Sequence, residues 1–163
     1  MKITETVEAK VRLVCVSSPE ELFEAWLDPE KVRSWFPIAI RSMGAAGDVR
    51  RVEIDPRVGG KFFFSDLRGD VEARHWGTYL ELERPHKIVF TWIVDESEEA
   101  DPSRVTLTLT PDGTGTLAQI VHQMDAAWAE YIQQTETGWA RLLTASDAAS
   151  HDAAKTGNNS FTP

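Results

Sequence analysis

The chain has 163 residues, of which 42% are hydrophobic and 26% charged, and a formal net charge of −9 from 17 basic and 26 acidic side chains. That length suits one globular domain with a core and a modest cavity, since about 70% of the unfolded surface is buried at ~150 residues. The acidic balance excludes phosphate-tracking nucleic-acid binding and disfavours an anionic membrane surface, and the single cysteine, Cys15, excludes an intrachain disulfide. Met1 is followed by polar residues, and no stretch approaches the ~20 apolar residues of a membrane span, so a cytoplasmic location is expected.

Residues 6–16 alternate, with Val7, Ala9, Val11, Leu13 and Cys15 on one face and Glu8, Lys10 and Arg12 on the other, as in a half-buried strand. Ser18 then N-caps a helix with Pro19 in its first turn and Glu21 completing a capping box. Asp28 and Pro29 repeat the start signal ten residues later, which splits this stretch into two short helices. Leu22, Phe23, Trp26 and Leu27 form one apolar stripe, and Val32, Trp35 and Phe36 another. A loop is expected over 37–49, where Gly44 and Gly47 flank two alanines.

Strand signals resume at 51–55 and 60–65, joined by a turn at 56–60. A longer strand covers 71–83, and its parity is open: Val71, Ala73 and His75 alternate with Glu72, Arg74 and Trp76. Ile88, Phe90 and Trp92 share a face of the next strand, followed by an acidic loop over 95–101. Val105, Leu107 and Leu109 alternate with Thr106, Thr108 and Thr110, and a hairpin turn at 111–115 leads into a last strand over 116–123. From 126 to 145, Trp128, Ile132, Thr135, Trp139, Leu142 and Leu143 recur at helical spacing. Gly138 inside this helix costs up to ~1 kcal/mol relative to alanine, which implies a close approach to its backbone. Beyond Ser146 the apolar spacing ends, so 1–146 form the domain and a disordered tail is expected over 147–163.

Strand, two short helices, about six antiparallel strands and a long helix make an α+β chain, with the helix lying in the concave face of a curved sheet. This order resembles the START-like, or SRPBCC, superfamily and its helix-grip fold, and within it the homologues of the activator of the heat-shock protein 90 ATPase. The resemblance runs from about Val7 to Ala145. It is carried by residues 18–26 with Asp28-Pro29, Asp55 before Gly59-Gly60-Lys61-Phe62, residues 77–81, Arg84-Pro85 through Trp92, Gly115-Thr116 with His122, and Gly138-Trp139. It implies an internal cavity between the last helix and the sheet that holds a lipid-like or aromatic molecule. Members of the superfamily include carriers, polyketide cyclases and aromatases, so the resemblance implies no single chemistry.

The cavity is expected to be lined by Trp35, Phe36, Phe62, Phe64, Trp92, Ile120, His122, Thr135, Trp139 and Leu142. Trp35 and Phe36 are placed at its entrance. His122, inward on the last strand with Ile120, is the candidate acid or base. Arg74, Tyr79 and Glu81 are weaker candidates whose direction depends on the open parity. The pattern contains no nucleophile elbow, Walker loop, dinucleotide fingerprint or metal-ligand spacing, so no metal and no cofactor are expected. Phe63, opposite in parity to Phe62 and Phe64, points to a homodimer face if it is exposed. The leading expectation is a binding module for a hydrophobic or aromatic small molecule. Two alternatives stand beside it: a cyclase- or aromatase-like enzyme, and a stress-related, co-chaperone-like interaction domain.

Overall fold

The computed structural model describes residues 5–159 of the chain. Strand β1 (Thr6–Cys15) is followed by helices α1 (Pro19–Leu27) and α2 (Pro29–Ser42), then by β2 (Asp48–Ile54), β3 (Lys61–Arg68), β4 (Val71–Glu83), β5 (Lys87–Trp92), β6 (Ser103–Asp112) and β7 (Gly115–Asp125). A 3₁₀ turn over Ala126–Tyr131 leads into α3 (Ile132–Asn159). The seven strands form one antiparallel sheet in the order β1-β7-β6-β5-β4-β3-β2. The sheet curves around α3, as the helix-grip fold requires.

Local chemistry explains both short helices. The Ser18 hydroxyl accepts from the Glu21 amide while the Glu21 carboxylate reaches back to the Ser18 amide, and the Asp28 carboxylate accepts from the Glu30 amide to start α2. Indole N–H groups then tie the helices together: Trp35 donates to the Ala25 carbonyl at 2.8 Å, and Trp26 donates to the Ser146 hydroxyl on α3 at 3.0 Å. Helix α2 continues to Ser42, through Pro37, where a loop was expected. The reason is packing, since Ala39 and Ile40 are both buried in the core.

Register shifts between Val49 and Arg51 and between Tyr79 and Glu81 mark bulges in β2 and β4. Bulges of this kind bend a strand and let the sheet wrap a helix. Gly77 permits the close approach of β4 to β5, because a Cβ there would lie 2.0 Å from the Thr91 carbonyl oxygen. Gly138 behaves otherwise. A Cβ there meets nothing within 4 Å, so no neighbour explains this glycine.

Two expectations about the C-terminal helix are corrected. Trp128 belongs to the 3₁₀ turn and is 47% exposed, so it lies outside the buried stripe of the helix. Helix α3 also continues through 147–159, a stretch expected to be disordered; residues 160–163 lie outside the described residues. Asp147 anchors the extension. Its carboxylate accepts from the Ser17 amide at 2.9 Å and the Val16 amide at 3.1 Å, and its carbonyl accepts from the Ser17 hydroxyl at 3.0 Å. In the middle of β1, the Glu136 carboxylate of α3 accepts from the Lys10 amide at 2.7 Å. A backbone donor on the edge strand is thereby satisfied within the chain.

Candidate functional site

The curved sheet directs alternate residues of β3, β4 and β5 at α3, and those positions carry most of the large rings. They enclose a cavity of about 20 Å³ lined by Trp26, Trp35, Phe36, Phe62, Phe64, Tyr79, Ile88, Phe90, Trp92, Trp139 and Leu142. Nine of these eleven side chains are aromatic, and the rings pack against one another. Trp139 meets Trp92 at 5.0 Å between centroids, Phe90 at 6.1 Å and Trp26 at 6.3 Å; Phe62 meets Phe64, Tyr79, Phe90 and Trp92 at 5.3–6.0 Å. Stacked, tilted and edge-on contacts of this kind add about 0.5–1.5 kcal/mol per pair beyond area burial. The space left among the rings suits one water molecule and nothing larger. Ten of the lining residues are buried, and Trp92 alone is partly exposed. The groove meets solvent there.

Seven of the residues named from the sequence are among those bordering this space: Trp35, Phe36, Phe62, Phe64, Trp92, Trp139 and Leu142. Three are not. Ile120 is fully buried in the general core, Thr135 lies one helical turn before Trp139 outside the lining, and His122 sits behind the Trp139 indole. Four lining residues went unassigned. Trp26, Ile88 and Phe90 lie on apolar faces already visible in the sequence. Tyr79 depended on the parity of β4, which the structure resolves with His75, Gly77 and Tyr79 inward. Arg74 is exposed on the opposite face, and the exposed Glu81 pairs with Lys87 at 3.1 Å. Trp35 is also no gate, being 2% exposed and tied to α1 by its N–H.

His122 is a fully bonded imidazole. Its Nδ1 accepts the Trp139 indole N–H at 3.0 Å, so the proton sits on Nε2, which donates to the Ser103 hydroxyl at 2.8 Å; that hydroxyl donates to the Trp92 carbonyl at 2.8 Å. Burial pushes this imidazole down to about 4, and protonating Nδ1 would set two donors against each other. Neither nitrogen is left for a substrate, so the geometry gives an acid–base role at this residue no support. The chain of bonds instead fixes the orientation of Trp139, which fills the groove.

His75 differs. It stacks on Trp92 with centroids 5.1 Å apart and meets Phe36 edge-on at 6.3 Å, yet its Nδ1 is buried and has no hydrogen-bond partner. Desolvation pushes this imidazole down to about 4; nearby Arg68 pushes the same way, while Asp66 and an approach to the Phe64 backbone that falls short of hydrogen-bond geometry oppose. Asp66, fully buried, is held by the Arg68 Nε at 2.9 Å.

Cys15 is buried, and desolvation together with the Asp147 carboxylate pushes its thiol up to about 12, which describes an inert side chain. Among the described residues no group of three or more His, Cys, Asp or Glu side chains is arranged to hold a metal, and no helix is long and apolar enough to cross a membrane. Phe63 lies between Trp76, stacked at 6.3 Å, and the Arg51 guanidinium, 4.1 Å from its centroid. Its outward ring is thus half-buried by contacts within the chain.

A family model described as Activator of Hsp90 ATPase homolog 1-like protein matches residues 17–147. Among solved structures, a protein of unknown function from Staphylococcus aureus, SA2116, superposes with a TM-score of 0.76 at 18% identity, over 93% of this chain and 98% of its own. Protein CV1439 from Chromobacterium violaceum gives 0.68 at 26% identity, over 88% of this chain and 96% of its own. An AHSA1-like protein from Aeromonas hydrophila gives 0.68 at 20% identity, over 91% of this chain and 94% of its own. No curated protein sequence matches. The capped helix pair, the curved sheet, the aromatic groove under α3 and the match over residues 17–147 lead to one conclusion: this chain belongs to the Activator of Hsp90 ATPase homolog 1-like family.

Proposed function

We propose that the protein binds a hydrophobic, aromatic small molecule in the groove between α3 and the sheet, and that it works as a carrier or sensor and not as a catalyst. The observation that carries this reading is the convergence of nine rings on one internal cavity with almost no polar lining. Such a surface suits flat apolar molecules, and its one titratable side chain, Tyr79, has a phenol that burial pushes up. At about 20 Å³ the cavity is closed to any organic ligand, so binding requires a ring to move. Trp92, the partly exposed member of the wall, is the ring with somewhere to go. A ligand that takes its place among the other rings exchanges one set of aromatic contacts for another, which limits the energy needed to open the groove.

Titration with 2-naphthol, followed by indole N–H resonances in NMR spectra and by the shift in melting temperature, tests the reading. Movement of the Trp92 and Trp139 indole signals with saturable stabilisation is expected. No saturable response, or one confined to Trp128, would overturn it. The enzymatic alternative has no support at His122, whose ring nitrogens are both engaged.

A further inference from the structure

Buried imidazole nitrogens are ordinarily bonded, because leaving such a group unpaired forfeits the hydrogen bond it made to water. Two buried side-chain polar atoms among the described residues lack a partner: the Ser65 hydroxyl and Nδ1 of His75. Ser65 faces away from the groove, between Arg51 and Arg74 in the strand register. His75 is paired across the strands with Phe64, stacks on Trp92 and abuts Phe36, and all three of those residues line the groove. Of the two buried atoms without a partner, Nδ1 of His75 is thus the one that lies next to the aromatic wall, just behind its lining and beside Trp92.

We propose that His75 Nδ1 is the polar anchor of the groove, and that the molecule it selects is a flat aromatic bearing a hydroxyl. This rests on the ligand-binding reading above and adds the class of ligand. A neutral imidazole has one nitrogen that donates and one that accepts. A hydroxyl can do either, so it satisfies Nδ1 in whichever tautomer the ring adopts. A bare hydrocarbon leaves it unpaired. A carboxylate or other anion fits poorly, because the nearby Asp66 already occupies the Arg68 guanidinium. With the aromatic body among the rings and the hydroxyl on Nδ1, both the apolar surface and the orphan nitrogen are satisfied together.

The test compares 2-naphthol with naphthalene, on the full chain and on His75→Phe, which keeps a ring to stack on Trp92. The wild-type protein is expected to prefer 2-naphthol, and the variant to lose that preference by roughly tenfold or more. In the wild type, the ¹⁵N resonance of His75 Nδ1 is expected to move with 2-naphthol and stay still with naphthalene, a readout that holds even if the variant folds poorly. Equal preference in the two proteins, or an unmoved Nδ1 signal, overturns the anchor while leaving the groove a binding site. Failure of both probes to bind overturns the anchor and the binding reading together.

Discussion

The hydrogen-bond chain from Trp139 through His122 and Ser103 to the Trp92 carbonyl makes stability depend on pH in a way that can be isolated. In the unfolded chain His122 titrates near 6.5, whereas burial holds it at about 4 in the fold. Because the folded value is the lower one, the unfolded state binds the proton first on acidification. The contribution of His122 is therefore complete above about 6.5 and is lost as the pH falls towards 4. Integrating the two titrations gives a loss of about 2 kcal/mol between pH 7 and pH 5. His122→Gln is the control: its amide oxygen can accept the Trp139 indole N–H and its amide nitrogen can donate to Ser103, but it does not titrate. His75 is also pushed down to about 4, but it is present in both proteins and cancels in the difference. Urea unfolding of both proteins at pH 7, 6 and 5 measures the effect. The wild type is expected to lose about 2 kcal/mol more than the variant over this span. Parallel pH profiles would mean that His122 keeps its ordinary proton affinity in the fold, and the argument for a neutral, locked imidazole would fail.

Other substitutions test the backbone. Gly138→Ala is expected to stabilise the protein by about 0.5–1 kcal/mol, read as a rise in urea midpoint, because α3 has open space at that position. Gly77→Ala is expected to destabilise by about 3 kcal/mol or to prevent folding, because its Cβ would strike the Thr91 carbonyl oxygen; an unchanged urea midpoint would contradict the tight β4–β5 approach. Asp147→Ala leaves the Val16 and Ser17 amides without their acceptors, which should cost about 2 kcal/mol; the Cys15 thiol also becomes more acidic, as thiolate absorbance against pH would report.

Much of this architecture was legible because its signals are local. Ser18 with Glu21, Asp28 with Pro29, and the turn before Gly115 each act within a few residues, and each produces the element it predicts. The aromatic wall was legible in part, since alternation on β5 places Ile88, Phe90 and Trp92 together. What escaped depends on contacts distant in sequence. The bulge beside Leu80 is invisible as a pattern, and the direction of Tyr79 and Glu81 was invisible with it. The chain after Ser146 lacks apolar spacing, but Asp147 is held by amides 130 residues away. His122 is expected on the inner face of β7 and lies there, but its partners come from α3 and β6, which no pattern within β7 records. His75 is visible in the sequence only through the open parity of β4. Its interest lies in a bond that is absent, and no sequence pattern records that.

The strand order also constrains how the chain reaches its native state. β1, which precedes the other described elements, pairs along its whole length with β7, from Thr6 against Asp125 to Cys15 against Thr116. Its edge donor and its exit toward α1 are then held by Glu136 and Asp147. None of these partners exists until most of the chain has been synthesised. The β2–β5 meander can assemble from neighbours, but β1 and the two capped helices must wait, with Leu22, Phe23 and Trp26 unshielded. Closing so long a loop is slow relative to local hairpin formation. During translation the aromatic interior stays open on one side until the last helix arrives, so this small domain is most exposed to association with other apolar surfaces just before it is complete.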